Sequence, residues 1–599
     1  MEDYTRRLRK YKGLSTDLES KMCTKFRSIV TLNGYDFDTA KSALQKYIRR
    51  GNIKKAQYIA CEMDLFRFFE GGESAWTNFY NRLRVIVFED IGLACIGILP
   101  ILDRLFDHWK QNEELSSSML QIVKLMCLSP HTRFYSHLRV HTFHKPEIGT
   151  PIYSHHLGKD EKMRENVDGL VWCMENKNIN ALYWIIQILN CRKMNEKRNR
   201  STRSGFLIFD IVRKIAGEND ILRICEKWYK TMKMKEQFLC CVHPVYVYII
   251  GDTNDVVFES EKQTIKPYNR SLTNQTLNMD DYVYDMHTKI GRTLKRDRLD
   301  FGIEGSMVVY EKDDLFGKKF YRQIAKEYIN LKISQGSVSL ESDEFIFKSR
   351  AQLICSAVRP DTYFAKNRIG QNVVVKGPFM NKESAMVSFK IQSILRLFHG
   401  VNIVDTSIKL LIPDLFDGIQ NSKTPLGCRT KIEKDKAYYF TVMEDLMNID
   451  KYPTVEKESK LWPKTKVVDF DTVFEDGKMG FGIPSKMSQD ARLSFLLQIS
   501  IRYAMKIGDF AYRNFLRIGD LVYNLDTEGV DIGNTIRFAG KEVEILKECL
   551  ETRREEYNSY LENWLRNDIG WILMYNTLGI NCSNEVKMLL KNPERMFDN

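Results

Sequence analysis

Proline is scarce in this chain, at 14 of 599 residues, and no long low-complexity tract interrupts it. Hydrophobic residues make up 43% and aromatics 12%. Together these argue against large disordered regions. Long apolar runs are missing too. The most apolar stretch, IGLACIGILPIL from Ile91 to Leu102, is about a dozen residues between acidic flanks, where a membrane span needs about 20. No span is expected. The opening MEDYTRRLRKYKG holds no apolar core, so no secretory signal is expected either. Neither sign of charge dominates. Lys and Arg number 90 against 78 Asp and Glu, a net +12 that allows contact with phosphates or nucleic acid without demanding it.

What the chain does have is length, and 599 residues exceed one hydrophobic core, so three or more domains are expected. Its 13 cysteines, an odd count, are scattered through apolar segments such as YIACEM, LACIGIL and VWCMEN. That usage fits buried thiols in a reducing, intracellular setting rather than a disulfide framework.

Residues 1–250 read as helical. From Tyr35 apolar residues recur at helical spacing, with Asp36 or Asp38 as the first cap and a break at Gly51-Asn52. A second helix carries Ala56, Ile59, Ala60 and Met63 on one face. The pair Asn178-Ile179, followed by Ala181 and Tyr183, echoes Asn52-Ile53 followed by Ala56 and Tyr58, which suggests an internal duplication. Six of the ten histidines fall between His131 and His156, with His137, His141 and His144 near helical spacing. A zinc site wants four ligands, and Arg133, Arg139 and Lys145 would repel a cation. A basic, aromatic-bearing surface loop is the preferred reading.

The stretch IRRGNIKKAQYIACEM with RLRVIVFEDIGLA, Arg82 to Ala94 above all, resembles the C-terminal helical region of Werner-helicase-interacting, replication-associated AAA+ ATPases. That resemblance implies self-association. No G-x-x-x-x-G-K-[ST] occurs in the chain, so it implies an assembly domain rather than a motor. Glu89 and Asp90 are then structural residues.

Residues 251–344 read as a linker and connecting segment, polar and poorly periodic from 253 to 281, with Asp285, His287 and Thr288 in a turn before a Lys/Arg-rich helix. From Phe345 the pattern changes to strands. EFIFKSRAQLICSAVRPDTYFAKN reads as a hairpin turning at Arg359-Pro360-Asp361, and QNVVVKGPF as a third strand carrying Lys376. A helix follows, with Asn381 as its cap, then an apolar strand ending VMEDL, a long helix, and IGDFAYRNFLRIGDLVYNLDTEG.

This order resembles the protein-kinase-like superfamily, in particular its atypical lipid, aminoglycoside and HipA-type kinases, which carry Gly-Asp-x-x-x-x-Asn. Gly508-Asp509 and Asn514 keep that step, and a hairpin then delivers Asp526. The resemblance implies a multidomain α and α+β protein. In it a helical bundle (1–250) precedes a bilobal kinase-like domain (345–599) with an antiparallel-sheet N-lobe and a mostly helical C-lobe. It implies ATP and Mg2+ as cofactors, Asp509 as catalytic base, and Asn514 and Asp526 as metal ligands. Lys376 would hold the α/β-phosphates with Glu383 as partner, and Met443, Glu444 and Asp445 would meet the adenine. No Gly-rich loop stands between the first two strands, and Asp526-Thr-Glu replaces Asp-Phe-Gly.

The leading expectation is a phosphotransferase fused to a helical oligomerisation domain. The alternative is a non-catalytic, pseudokinase-like scaffold associated with viral DNA replication or the virion. The fusion and the Lys-, Asn- and Tyr-rich style resemble proteins of large DNA viruses, which would put the chain in host cytoplasm, nucleus or virion. Nucleic-acid binding through Arg192–Arg203 and Lys289–Arg298 ranks last, since charge runs are more often solvated faces.

Overall fold

In the computed structural model of the chain, the apolar spacing after Tyr35 becomes two helices, α1 (Phe37–Arg49) and α2 (Ile53–Asp64). The structure describes residues 29–68, 71–111, 117–141, 161–195, 203–232, 234–251, 277–308, 327, 345–350, 362–379, 382–411, 438–446, 454–459, 462–468, 479–507, 510, 512–525, 538, 540–567, 570–571, 574–575 and 582–597. They are mostly helical with small antiparallel sheets, as expected of a multidomain α and α+β protein. The chain forms two compact units.

The first unit comprises Met1–Met279, His287–Lys289 and Tyr310–Arg322. Gly51 ends α1 in the left-handed region, φ 65°, with its N–H donating to Ile48 O and the Asn52 N–H to Tyr47 O. Asn52 then caps α2 by accepting from the Lys55 N–H. Asp36 occupies the cap position of α1, but its side chain makes no capping bond. The helices continue as α3 (Glu73–Ile86), α4 (Ile98–Gln111), α5 (Ser117–Leu128), α6 (Phe134–His141), α7 (Glu161–Glu175), α8 (Ala181–Asn195), α9 (Arg203–Ala216), α10 (Asp220–Thr231) and α11 (Met234–Ile250).

Between α7 and α8 the first turn's hydrogen-bond pattern recurs. Lys177, φ 51°, donates to Met174 O and the Asn178 N–H donates to Cys173 O. Aromatic side chains fill the centre of this unit. The Trp109 ring stands 5.3–5.4 Å from those of Phe79 and Tyr80, and Phe106 stands 5.5 Å from Trp228.

The second unit comprises Asp280–Met286, Ile290–Val309 and Gln323–Asn599. Its main sheet is antiparallel, with β1 (Phe345–Arg350), β2 (Thr362–Asn367), β3 (Asn372–Phe379), β4 (Thr406–Leu411) and β5 (Tyr438–Glu444) in the order β1-β2-β3-β5-β4. Helix α12 (Lys382–Leu395) connects β3 to β4 and buries Ala385, Met386 and Phe389 with Ile408. Met307 joins the same cluster. Residues around it, expected as connecting segment, are therefore folded onto this sheet. Asp281 is their polar anchor, accepting two bonds of 2.6 and 2.7 Å from the Arg296 guanidinium and lying 3.5 Å from Lys409 of β4. Burial opposes its ionisation, yet Lys409 and Arg296 hold its pKa below the usual carboxylate value. The cap expected at Asn381 lies outside the described residues.

A two-stranded hairpin, β6 (Thr454–Ser459) and β7 (Trp462–Val468), comes next in the chain. Helix α13 (Gln489–Ala504), capped by Ser488 through the Ala491 N–H, follows β8 (Met479–Phe481). Strands β9 (Phe515–Ile518) and β10 (Leu521–Asn524) pair with β8 in the order β10-β9-β8, and α14 (Gly540–Thr552), α15 (Arg554–Leu565) and α16 (Ser583–Lys591) complete the unit.

Candidate functional site

Strand alternation decides what Lys376 can do. Val373 and Val375 are buried, whereas Val374 and Lys376, on the other face, are half-buried. The β3–β5 register sets Lys376 opposite Thr441 and Val374 opposite Met443. Cross-strand partners share a face, so Lys376 and Met443 stand on the same face of the sheet. Glu383 falls in the first turn of α12.

At the end of β5, Glu444 is exposed and Asp445 buried. The Glu444 N–H donates to Asp405 O at 3.2 Å and the Asp445 N–H to Asn372 O at 3.3 Å. Both amides are thus engaged inside the fold.

Asn514 closes a 3-10 turn, Tyr512–Asn514, just before β9, and is 4% exposed. Its carbonyl accepts from the Leu525 N–H at 3.0 Å. Asn514 is therefore bonded to the residue preceding Asp526. Gly508, Asp509 and Asp526 themselves lie outside the described residues.

A polar network beneath the hairpin gave no sequence signal. Gln498, fully buried on α13, accepts from Asn524 Nδ2 at 2.7 Å and from the Asn402 N–H at 3.2 Å, and donates to Gly400 O at 2.9 Å. Asn402 Nδ2 donates to Val522 O at 3.1 Å, and Asn402 O accepts from the Asn524 N–H at 3.0 Å. Ser494 Oγ accepts from the Val522 N–H at 2.9 Å. The same connector, between α12 and β4, ends in Asp405. That residue's carboxylate pairs with Arg396 at 2.8 Å and accepts from Tyr282 Oη at 3.0 Å.

In the first unit, EDIGLA forms a π-helical turn, Val87–Ile91, running into a 3-10 turn. Asp90 is wholly buried. It accepts from Arg49 Nε at 2.6 Å, Arg133 Nη1 at 3.3 Å and Gln45 Nε2 at 2.8 Å, while its carbonyl accepts from the Thr132 N–H. Burial works against the charge, but Arg49 and then Arg133 hold the Asp90 pKa low. Glu89 accepts from the same Gln45 amide at 2.9 Å. Asp90 is thus an internal counter-ion for Arg49 and Arg133.

The surface loop expected around the histidines is not what forms over residues 131–138. His131, Arg133, Phe134, Tyr135, His137 and Leu138 are all buried. Burial lowers the pKa of His131 to about 4, which keeps it neutral. Tyr135 Oη lies 2.8 Å from His243 Nδ1, another buried histidine whose pKa burial lowers to about 3. His144, His155 and His156 lie outside the described residues. Among the described residues no group of three or more His, Cys, Asp or Glu is placed to hold a metal ion. Among them, too, no helix is long and apolar enough to cross a membrane. Cys61, Cys95, Cys127, Cys173, Cys225, Cys240, Cys241, Cys549 and Cys582 are buried free thiols.

Compared with family models, curated proteins and solved structures, the chain matches none of them.

Proposed function

We propose that residues 345–599 form a kinase-like phosphotransferase domain that takes ATP with Mg2+, fused to a helical self-association unit. One observation carries the reading: the order β1-β2-β3-β5-β4 with one helix between β3 and β4, followed by α13 and the β9–β10 hairpin. This is the succession the kinase-like resemblance implies. It sets a strand lysine and the β5 end on one sheet face, and in the sequence Asp509, Asn514 and Asp526 flank the hairpin.

The donor set suits the cofactor. Amide and carboxylate oxygens at Asn514 and Asp526 are hard ligands fit for Mg2+, and the bond from Leu525 to Asn514 ties the two segments together. When bound, the metal would neutralise charge on the transferred phosphoryl group. Asp509 would accept the proton of the attacking hydroxyl, and Lys376, with Glu383 as partner, would hold the phosphates. The base would sit at Met443–Asp445. Self-association through the first unit rests on the resemblance of Arg82–Ala94 alone, and size-exclusion chromatography with light scattering tests it.

A second reading is favoured by one observation, the absence of any glycine between β1 and β2. Without a flexible cover over the phosphates, the domain would be an inert, nucleotide-binding scaffold. Calorimetric titration with Mg-ATP, followed by hydrolysis and autophosphorylation assays beside Asp509→Asn and Asp526→Ala, separates the two. Turnover lost in both variants supports the phosphotransferase. Binding without turnover in the wild type leaves the scaffold, and no binding removes both.

A further inference from the structure

We infer that Gln498, Asn402 and Asn524 are positioning residues that fix the β10 strand delivering Asp526, and so govern metal-dependent nucleotide binding. This rests on the phosphotransferase reading. Four observations converge on it. Gln498 is fully buried in the middle of α13, one turn from Ser494 of the same network. Its side chain binds two separate segments at once, the Gly400–Asn402 connector and Asn524. Asn524 stands two residues before Asp526, and a bridge pairs it with Ile403 in parallel. Gly400, at φ 80°, admits no side chain, because a Cβ there would stand 2.8–2.9 Å from Tyr560 and Leu497.

Stability alone does not explain the arrangement. Asn524 Oδ1 is buried without a hydrogen-bond partner, which costs free energy that an apolar residue would not. Directional bonds do what apolar packing cannot: they fix a strand along its own axis as well as against the layer beneath. The connector also reaches the other end of the site, since Asp405 O accepts the Glu444 N–H. One short segment therefore spans the distance between the adenine end and the metal end of the proposed site.

The test uses full-length protein and two variants, with Mg-ATP and adenosine as probes. Gln498→Met keeps the side-chain volume and removes all three bonds. Gln498→Glu keeps the acceptor for Asn524 and Asn402. Gln498→Met is expected to weaken Mg-ATP binding at least tenfold and adenosine binding less than twofold, with Gln498→Glu recovering part of the loss. In parallel, hydrogen exchange at the Asn524 and Leu525 amides should speed up at least tenfold in Gln498→Met, while α14 and α15 keep wild-type protection. Equal loss for both probes, or no loss for either, overturns the inference. Should the wild type bind neither probe, the phosphotransferase reading falls, and exchange alone decides the network: unchanged protection at Asn524 and Leu525 overturns it.

Discussion

Asp64 carries a charge that the fold penalises. It ends α2, where the helix dipole disfavours an anion, and it is wholly buried. One oxygen accepts from Trp76 Nε1 at 2.9 Å. The other has no hydrogen-bond partner, and Arg67 stands 3.8 Å away. Burial is the dominant influence and pushes the pKa from 3.8 to about 6, against the smaller opposing pulls of Arg67, Trp76 and Trp109. The native state therefore binds a proton more readily than the unfolded chain. Stability from this site is full below pH 3.8 and is lost as pH rises through 6.

That interval corresponds to about 3 kcal/mol. Asp64→Asn keeps the acceptor for Trp76 and removes the charge. It forfeits the long contact to Arg67, worth about 1 kcal/mol or less. The variant should thus be more stable at pH 8 by about 2 kcal/mol, or about 4–8 °C in the transition of the first unit. The advantage should close as pH falls towards 4. Calorimetric scans of both full-length proteins between pH 4 and 8 measure it. A variant no more stable than wild type at pH 8, or an advantage independent of pH, would refute the reasoning.

Truncating Asp90→Ala leaves Arg49 and Arg133 facing each other in the core without their shared counter-ion, and should cost about 3–5 kcal/mol in thermal unfolding. The two related turns give opposite outcomes on exchange. Gly51→Ala puts a Cβ at φ 65° and should cost about 1 kcal/mol. Lys177→Gly relieves φ 51° but loses the ammonium contact with the Tyr248 ring, so its gain in melting temperature should be smaller than the loss at Gly51.

Local pattern made most elements of the second unit legible. The β-branched run in QNVVVKGPF became β3, and helical spacing became α12 and α13, while the turn expected at Arg359-Pro360-Asp361 lies outside the described residues. Pairing across the sequence was not legible. Asp90 meets Arg133, 43 residues on, and Gln498 meets Asn402 across 96, with nothing in the intervening chain to announce either bond. The histidine run misled for a different reason. Charge and imidazole suggested a surface, but Phe134, Tyr135 and Leu138 between them drive the segment inward, and His131, Arg133 and His137 are buried with them.

The two acidic pairs show why burial, rather than motif, assigns roles. Glu89-Asp90 and Glu444-Asp445 both follow apolar runs, and in both the aspartate is buried while the glutamate is more exposed. At Asp90 the buried charge is satisfied by Arg49 and Arg133, so the pair is structural. At the end of β5 the amides of Glu444 and Asp445 are already donors to Asp405 and Asn372. A purine seated there would have to meet carbonyl oxygens or the chain beyond Asp445, because recruiting either N–H would break a bond that anchors β5. Analogues altered at the purine's own donors should therefore lose more affinity than those altered at its acceptors. The reverse order would remove the β5 end from the adenine contact while leaving Lys376 and the hairpin in place.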